Sequence, residues 1–322
     1  SPVPAGLLVG RSPGILEVFK MTGMLDASDV PVLITGESGT GKELLARAIH
    51  TGGKRVKQPF VAVNCCAIPE NLVESELFGH EKGAFTGAVE KRVGKIQVAD
   101  KGTLFLDEIG EMPIEAQSKI LRVLQENQIS PVGSSKVIEV DVRFICATNR
   151  SLEQALAVGR FRKDLYYRVN VLRIEMPPLR KRREDIPLLV HHFLAKHGPR
   201  ANARAKEFNA DALGQLAAYD WPGNVRELEN LVERVLVHYG EEEQIRPEHL
   251  KGMLAQEGNA SATSLAEFEG LTLEEATRRL ERHLILRALE RAGYVQTQAA
   301  ELLGTTRRIL KYKMDQLGIS PS

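Results

Sequence analysis

The 322-residue sequence has little cysteine, almost no net charge and no long apolar run. Its three cysteines, Cys65, Cys66 and Cys146, lack the spacing of a metal site, so we expect buried, reduced thiols, as is typical of a cytosolic protein. No apolar stretch is long enough to span a bilayer, and we therefore expect no membrane contact. The formal net charge of +1 gives no global sign of nucleic-acid binding, so any basic surface must be local.

The amino-terminal stretch SPVPAGLLVGRSPG lacks the basic segment and apolar core of a signal peptide, and we expect a cytoplasmic location. It also lacks a methionine at position 1. We therefore expect the chain to be a fragment or a processed product, with further residues before Ser1.

Five short runs rich in β-branched residues alternate with helical patterns in the first half of the chain. Each run is apolar almost throughout, as expected for strands that are covered on both faces. The alternation predicts an α/β fold with a parallel, doubly wound sheet. The runs are VPVLIT (30–35), FVAVNC (60–65), GTLFLDEI (102–109), VRFICAT (142–148) and VLRIEM (171–176).

The strand pattern stops after Pro177 and Pro178, and helical patterns follow. We expect an α/β domain over 1–178 and a helical subdomain over 179–254. The small, polar segment 255–270 is the best linker candidate, which leaves a helical unit over 271–322. We expect the basic run Arg180–Arg183 to be a solvated turn that opens the helical subdomain, and a DNA-binding patch is the alternative.

The sequence GESGTGKE, directly after the first strand and before a helix, fits the G-x-x-x-x-G-K pattern of a phosphate-binding loop. Its glycines let backbone N–H groups surround phosphate oxygens, and the lysine and the helix N-terminus add positive charge. The residue after the lysine usually carries a hydroxyl that binds Mg²⁺, and a glutamate stands there. The predicted nucleotide-binding residues are Gly36, Glu37, Ser38, Gly39, Thr40, Gly41, Lys42 and Glu43.

Asp107 and Glu108 end the third predicted strand. Two adjacent carboxylates at that position are costly without a partner, and an Mg²⁺–nucleotide complex would supply one. Asp107 would then hold the metal, and Glu108 would polarise the water that attacks the γ-phosphate of ATP. The alternative is that an acidic residue simply caps the next helix.

Together, GESGTGKE, ELFGHEKGAFTGA, GTLFLDEIGE, FRKDLYYRVNV and WPGNVRELEN resemble the AAA+ core of the NtrC-type activators of sigma-54 RNA polymerase. The resemblance covers roughly residues 6–250 and extends to the C-terminal unit. It implies a P-loop domain with a five-stranded parallel sheet, a helical lid and ATP hydrolysis. The family's phosphate loop also ends in glutamate, so Glu43 does not depart from it.

The resemblance also assigns roles to single residues. Asn149 matches a first sensor of the γ-phosphate, and Arg226 matches a second sensor carried by the lid. Asn64 matches a switch residue that holds the glutamate corresponding to Glu108. Arg162 and Arg168 match arginine fingers that reach the nucleotide of a neighbouring subunit.

Fingers that act on a neighbour require an oligomer, and the resemblance implies a ring, usually a hexamer. The segment FRKDLYYR alone favours an ordinary surface ion pair, such as one between Arg162 and Asp164. The family match favours fingers.

The segment Gly83–Ala88, GAFTGA, resembles the loop with which this family contacts the sigma-54 factor. Gly83 and Gly87 give the backbone freedom to move, and Phe85 offers an apolar contact area to a partner. Ala84, Thr86 and Ala88 complete the motif. Without the family, a hairpin tip that folds Phe85 into the core is an equal alternative.

The C-terminal unit begins with an apolar stripe at helical spacing that runs from Leu273 to Ala292. Two short helices joined at Gly304 then form a helix-turn-helix pattern, and Thr305 or Thr306 can cap the second. We expect this second helix to contact double-stranded DNA through Thr306, Arg307, Arg308, Lys311 and Lys313. The unit resembles the Fis-type domain, which implies dimers and an inverted-repeat enhancer site. A helical bundle with a charged face is the alternative.

The sequence therefore predicts a sigma-54-dependent transcriptional activator, a DNA-bound ATPase ring that remodels the closed promoter complex into the open one. A response regulator of a two-component system fits this class, with its sensing domain before Ser1. One rival is an AAA+ protein unfoldase with an aromatic pore loop. Another is a DNA-binding repressor that keeps nucleotide as a ligand without turnover.

Overall fold

The computed structural model describes residues 8–26, 28–85, 88–199, 201, 203–204, 207–254, 271–292 and 295–319. It divides into two compact units at residues 254 and 255. The predicted linker 255–270 lies outside the described residues, as do Thr86 and Gly87. Among the described residues, no helix is long and apolar enough to cross a membrane.

The first unit is built on a five-stranded sheet whose paired strands are all parallel. The predicted α/β fold is confirmed, since each of the five apolar runs contains one strand. The order across the sheet places the first strand between the fourth and the fifth. In chain order the strands are β1 (Val32–Thr35), β2 (Phe60–Asn64), β5 (Thr103–Asp107), β8 (Arg143–Thr148) and β9 (Leu172–Glu175).

Helices cover both faces of this sheet, which explains why its central strands are mostly apolar. One face packs against residues of the first two helices, such as Ile15 and Leu45. The other face packs against Leu77, Ile120 and Leu165. The helices are α1 (Pro13–Gly23), α2 (Lys42–Gly52), α3 (Glu70–Phe78), α4 (Lys95–Val98), α5 (Ile114–Glu126), α6 (Leu152–Ala157) and α7 (Lys163–Val169).

Two small antiparallel hairpins project from this layer. One consists of β3 (Gly79–His80) and β4 (Arg92–Val93), and the other of β6 (Gln128–Ile129) and β7 (Ile138–Glu139). The first interrupts the chain between α3 and α4. Of the predicted buried cysteines, Cys65 and Cys146 are buried, whereas Cys66 is exposed because it lies in a 3₁₀ turn beyond β2.

A helical subdomain follows the sheet, as predicted, with its own apolar core around Trp221, Leu228 and Phe193. The indole N–H of Trp221 donates to the Leu216 carbonyl oxygen at 2.8 Å, so the polar group of the buried ring has a hydrogen-bond partner. The elements are α8 (Ile186–His197), β10 (Glu207–Phe208), α9 (Ala210–Ala218), α10 (Asn224–Tyr239), β11 (Gln244–Ile245) and α11 (Pro247–Leu250).

The second unit contains three described helices, α12 (Leu273–Arg291), α13 (Gln296–Leu302) and α14 (Arg307–Gln316). The predicted apolar stripe on α12 divides into two parts. Ile285, Ala288, Leu289 and Ala292 are buried against the two shorter helices, whereas other leucines of the stripe stay exposed. The exposed leucines are Leu273, Leu280, Leu284 and, beside them, Leu286.

Candidate functional site

The predicted phosphate loop lies between β1 and α2, where a parallel strand ends next to the sheet's change of direction. Lys42 begins α2 and is 7% exposed. Its Nζ donates to the carbonyl oxygens of Gly36 at 3.0 Å and Glu37 at 3.3 Å. The ammonium thus lies against the loop, in position to bind a phosphate.

Asp107 and Glu108 stand at the C-terminal end of β5, facing the loop. Glu108 has a left-handed backbone with φ of 52°, an uncommon conformation for a residue other than glycine. Its Oε1 lies 3.5 Å from Lys42 Nζ, and its Oε2 accepts a hydrogen bond from the Asn149 backbone N–H at 3.0 Å. The carboxylate is therefore held between the loop and the end of β8.

Burial raises the pKa of the Asp107 carboxyl above its ordinary value, and the adjacent Glu108 raises it further, while Lys42 acts in the opposite direction. The site is consequently short of positive charge. A bound divalent cation would offset this, so the donor set fits Mg²⁺ with Asp107 as ligand.

Asn64 ends β2 beside Asp107, its partner in the sheet register. Its Oδ1 accepts a hydrogen bond from the Cys66 N–H at 2.9 Å and so caps the turn Cys65–Ala67. Asn149 is exposed at the end of β8, where its backbone, as described above, contacts Glu108. Both predicted switch and sensor residues thus lie at the edge of the same site.

Two adjoining cavities surround the loop. The polar one, of about 430 Å³, is lined by Lys42, Asn64, Asp107, Glu108 and Arg226 among others. The second, of about 280 Å³, is largely apolar. Its lining includes Leu8, Val9, Leu44, Arg182, Leu189, His192, Phe193 and Val225.

The first turn of α10 in the lid packs directly on the phosphate loop. The Gly39 carbonyl oxygen accepts from the N–H groups of Val225 at 3.0 Å and Arg226 at 3.3 Å. Gly39 has φ of +76°, and a Cβ there would collide with the Gly223 carbonyl oxygen. Arg226 Nη1 also donates to Ser38 Oγ at 3.2 Å, which places the predicted second sensor at the loop.

The basic run at the start of the lid is a solvated turn only in part, because Arg180, Lys181 and Arg183 are exposed whereas Arg182 is buried. Arg180 forms two hydrogen bonds with the Glu37 carboxylate, at 2.8 and 2.5 Å, and holds its pKa below the ordinary value. Arg182 is 3% exposed and donates from Nη2 to the Thr40 carbonyl oxygen at 3.1 Å. The prediction failed for Arg182, because its partner Thr40 lies 142 positions away in sequence.

Arg162 directly precedes α7 and Arg168 lies in its last turn, both on the surface of the first unit. Arg162 pairs with Asp164 at 2.7 Å, the ion pair that the local sequence favours. Arg168 is exposed and donates from Nη2 to the Leu124 carbonyl oxygen at 3.2 Å. The assignment of both as fingers stays a prediction.

Gly83, Ala84, Phe85 and Ala88, the described residues of the predicted sigma-54 loop, lie between β3 and β4 at the tip of the hairpin. Phe85 is 37% exposed, so it is not folded into the core, and its ring meets the His80 ring edge-on at 5.0 Å between centroids. The Gly83 N–H donates to the Ala88 carbonyl oxygen at 2.8 Å and closes the base of the loop. The hairpin therefore presents an apolar ring towards solvent.

In the second unit, Thr306 caps α14, since its Oγ1 accepts from the Ile309 N–H at 3.3 Å. Arg307, Arg308 and Lys311 are exposed on this helix. Lys313 points the other way and pairs with Glu281 of α12 at 2.7 Å. The geometry favours the first three cations as DNA contacts and gives Lys313 a bond within the unit.

Comparisons with known proteins divide the chain into three matches. Residues 8–175 match the family model described as a sigma-54 interaction domain. Residues 180–267 match an AAA+ ATPase lid domain, and residues 276–321 match the bacterial regulatory protein, Fis family. The lid match overlaps the predicted linker, so the domain boundaries stay predictions.

Several curated relatives span nearly the whole chain. Regulatory protein AtoC of Escherichia coli is 46% identical over 318 residues, which are 98% of this chain and 69% of that protein. Response regulator protein PilR of Pseudomonas aeruginosa is 47% identical over 315 residues, 97% of this chain and 70% of PilR. The crystal structure of NtrX from Brucella abortus in complex with ATP is 36% identical, with a TM-score of 0.73 over 98% of this chain and 70% of NtrX.

The chain is an AAA+ ATPase with a P-loop α/β domain and a helical lid, joined to a Fis-type helix-turn-helix domain. It belongs to the family of sigma-54-dependent transcriptional activators. This membership sets aside the unfoldase and the repressor as rivals.

Sequence reasoning missed several residues of the site. Leu8, Val9, Leu189 and Phe193 carry no motif, and Arg182 was assigned to the surface. The signal that could have located Arg182 is its place in a basic run directly after the last strand of a nucleotide-binding sheet, where the lid begins.

Proposed function

We propose that this chain couples ATP hydrolysis in a ring to the remodelling of the sigma-54 RNA polymerase closed complex into the open complex. The observation that supports this proposal is that one domain contains both a nucleotide site and a hairpin with an exposed Phe85. The lid packs on the phosphate loop of that site. The ring is a hexamer, and the α/β domain 1–178, lid 179–254, linker 255–270 and DNA-binding domain 271–322 are its parts.

In the nucleotide site, the amides of Gly36–Glu43 and the ammonium of Lys42 hold the phosphates of ATP. Asp107 would hold Mg²⁺, and the bound metal would neutralise phosphate charge. The Glu108 carboxylate accepts a hydrogen bond from the attacking water. The Asn149 N–H donates to the same carboxylate and fixes its orientation. Asn64 and Asn149 report the nucleotide state, and Arg226 does so from the lid.

The apolar cavity next to the phosphate loop accepts the purine base of the nucleotide. It is lined mainly by apolar side chains, with Arg182, His192 and Lys196 among its polar ones. It opens onto the polar cavity through the shared residues Gly41, Leu44, Val225 and Glu229. The volume of about 280 Å³ and the largely apolar lining of this cavity suit a base better than a chain of phosphates.

Outside the nucleotide site, Arg162 and Arg168 act as fingers on a neighbouring subunit's nucleotide. The loop Gly83, Ala84, Phe85, Thr86, Gly87 and Ala88 contacts the sigma-54 factor. The Fis-type domain binds double-stranded DNA at an inverted-repeat enhancer as a dimer. The exposed leucines of α12 support this dimer, because they offer an apolar surface to a second copy. PilR is a response regulator by name, and we place this chain likewise in a cytoplasmic two-component system.

The decisive test separates motor from output. Phe85→Ala removes the exposed apolar ring and should abolish sigma-54 binding and promoter opening, while ATP turnover and melting temperature stay near parental. Val89→Ala, a change at a side chain that is 74% exposed in the same hairpin, is the matched control and should retain all activities. A Phe85→Ala protein that still opens promoters would refute the output role.

A second test addresses hydrolysis. Glu108→Gln should bind ATP and lose turnover, because the amide cannot accept the water's proton, whereas Lys42→Ala should weaken binding itself. Parental turnover by Glu108→Gln would remove Glu108 from the catalytic role.

A further inference from the structure

A buried carboxylate in the lid fastens the chain segment Leu8–Ser12, which precedes α1. Asp185 is fully buried at the amino-terminal end of α8. Its Oδ1 accepts from the Arg11 N–H at 2.6 Å and from the Ser12 N–H at 2.9 Å, and its Oδ2 accepts from Ser12 Oγ at 2.7 Å. Three hydrogen bonds to one carboxylate across 173 to 174 positions make a specific joint between segment and lid.

The segment is also fixed sterically at Gly10. A Cβ at this position would lie 2.8 Å from Asp185 Oδ2 and 2.8 Å from Ile15 Cγ2. No larger side chain fits while the joint is closed. The carboxylate therefore sets where the two preceding residues, Leu8 and Val9, are placed.

Those two residues form part of the wall of the apolar cavity. Arg182, three positions before Asp185, lines the same cavity and donates to the Thr40 carbonyl oxygen of the phosphate loop. The start of α8 thus joins three parts of the site: the amino-terminal segment, the phosphate loop and the lid.

We propose that Asp185 is a positioning residue for nucleotide binding, which acts through Ser12 and Gly10 to hold Leu8 and Val9 against the base. The inference depends on the proposed assignment of the apolar cavity to the base. Among the described residues, the hydrogen bonds of the Asp185 carboxylate go to Arg11 and Ser12, and none goes to the phosphate loop. Its influence should consequently fall on the base and spare the phosphates.

The experiment compares two ligands that both carry three linked phosphates, of which only ATP also carries a base and its ribose. Steady-state ATPase assays give KM for ATP, and inorganic tripolyphosphate as a competitor gives an inhibition constant for the phosphate subsite alone. Asp185→Asn should raise KM for ATP about tenfold, the usual order for weakening hydrogen bonds to a charged group. The inhibition constant of tripolyphosphate should stay within about twofold of parental, well below that tenfold effect.

Gentler variants keep the test decisive if Asp185→Asn folds poorly. Ser12→Ala removes one hydrogen bond and should raise KM for ATP about threefold, a fraction of the charged-bond effect. Ser12→Thr keeps the hydroxyl and should restore affinity. Gly10→Ala displaces the segment without changing charge and should mimic Asp185→Asn.

The control for the cavity itself is His192→Trp, since His192 lines the cavity from α8 and is partly exposed. If His192→Trp raises KM for ATP and the Asp185, Ser12 and Gly10 variants do not, the base cavity stands and the role of Asp185 is wrong. If His192→Trp has no effect either, the cavity assignment fails and takes this proposal with it. Equal losses for ATP and tripolyphosphate would show general loosening and would also overturn it.

Discussion

Charged residues buried in the first unit show how single side chains join distant segments. Lys42, Arg182 and Asp185 are each less than a tenth exposed, and each bonds to backbone atoms of another part of the loop or chain. A buried charge without such partners would be strongly destabilising. Each of these residues therefore fixes a backbone position as well as supplying charge.

His50 offers a test of buried charge at the scale of one residue. It is 6% exposed, and its Nδ1 lies 3.0 Å from Thr103 Oγ1. Burial lowers the pKa of this imidazole below 6.5, and the Arg143 guanidinium lowers it further. The neutral ring thus stabilises the fold above pH 6.5, and this contribution is lost as the pH falls through the lowered pKa.

We expect His50→Gln to flatten that acid dependence. Melting temperatures of parent and variant, measured from pH 8 to pH 5, should differ most at the upper end and converge as the pH falls. His238→Gln, at an exposed histidine, controls for loss of a surface imidazole. Parallel curves for His50→Gln and parent would contradict the assignment.

The elements were predicted well wherever a local pattern carries the information. All five strands fall inside runs that are apolar because the sheet is covered on both faces, and the phosphate loop follows the first of them. The joint between Asp185 and Ser12 was not predicted, because it links residues 173 positions apart and neither carries a local motif. The ion pair between Lys313 and Glu281 was not predicted either, because helical spacing alone does not show which residue of α12 lies opposite Lys313.

The cap of α14 makes a prediction at the scale of an element. Thr306→Ala removes the oxygen that accepts from the Ile309 N–H and should destabilise the helix by about 1 kcal/mol. Faster hydrogen exchange of the amides from 307 to 310 would report it. Thr306→Ser keeps the acceptor and should exchange at the parental rate; equal exchange in all three proteins would show that the cap is without effect.

The two faces of α14 should respond differently to the same substitution. Lys311→Ala removes an exposed cation, so it should weaken DNA binding and reduce the salt dependence of the affinity by about one unit if Lys311 contacts a phosphate. Lys313→Ala should instead loosen the bond to α12. Its effect should appear as a lower melting temperature of the second unit. DNA titrations at several salt concentrations decide between them, and a larger salt effect for Lys313→Ala would reverse the assignment.

At the scale of the whole molecule, the position of Arg162 on the surface of the first unit suits action on a neighbour. To reach a neighbour's nucleotide, the Arg162 guanidinium would have to leave its ion pair with Asp164. Both groups are partly exposed, so breaking the pair should cost little. Inactive Arg162→Ala subunits mixed with inactive Glu108→Gln subunits should regain turnover, since some interfaces then combine an intact finger with an intact site. Turnover is measured across mixing ratios, with mixed rings verified by size. No recovery at any ratio would argue against action in trans.

The close packing of Gly39 against Gly223 has a consequence for which mutations this protein can tolerate. A side chain at position 39 is excluded twice, by the left-handed backbone and by the lid's carbonyl oxygen. That oxygen belongs to the main chain, so no substitution at position 223 can remove it. Genetic selections should therefore yield no compensating change at 223 for a Gly39 mutant, and suppressors should instead move the lid by altering its contacts elsewhere.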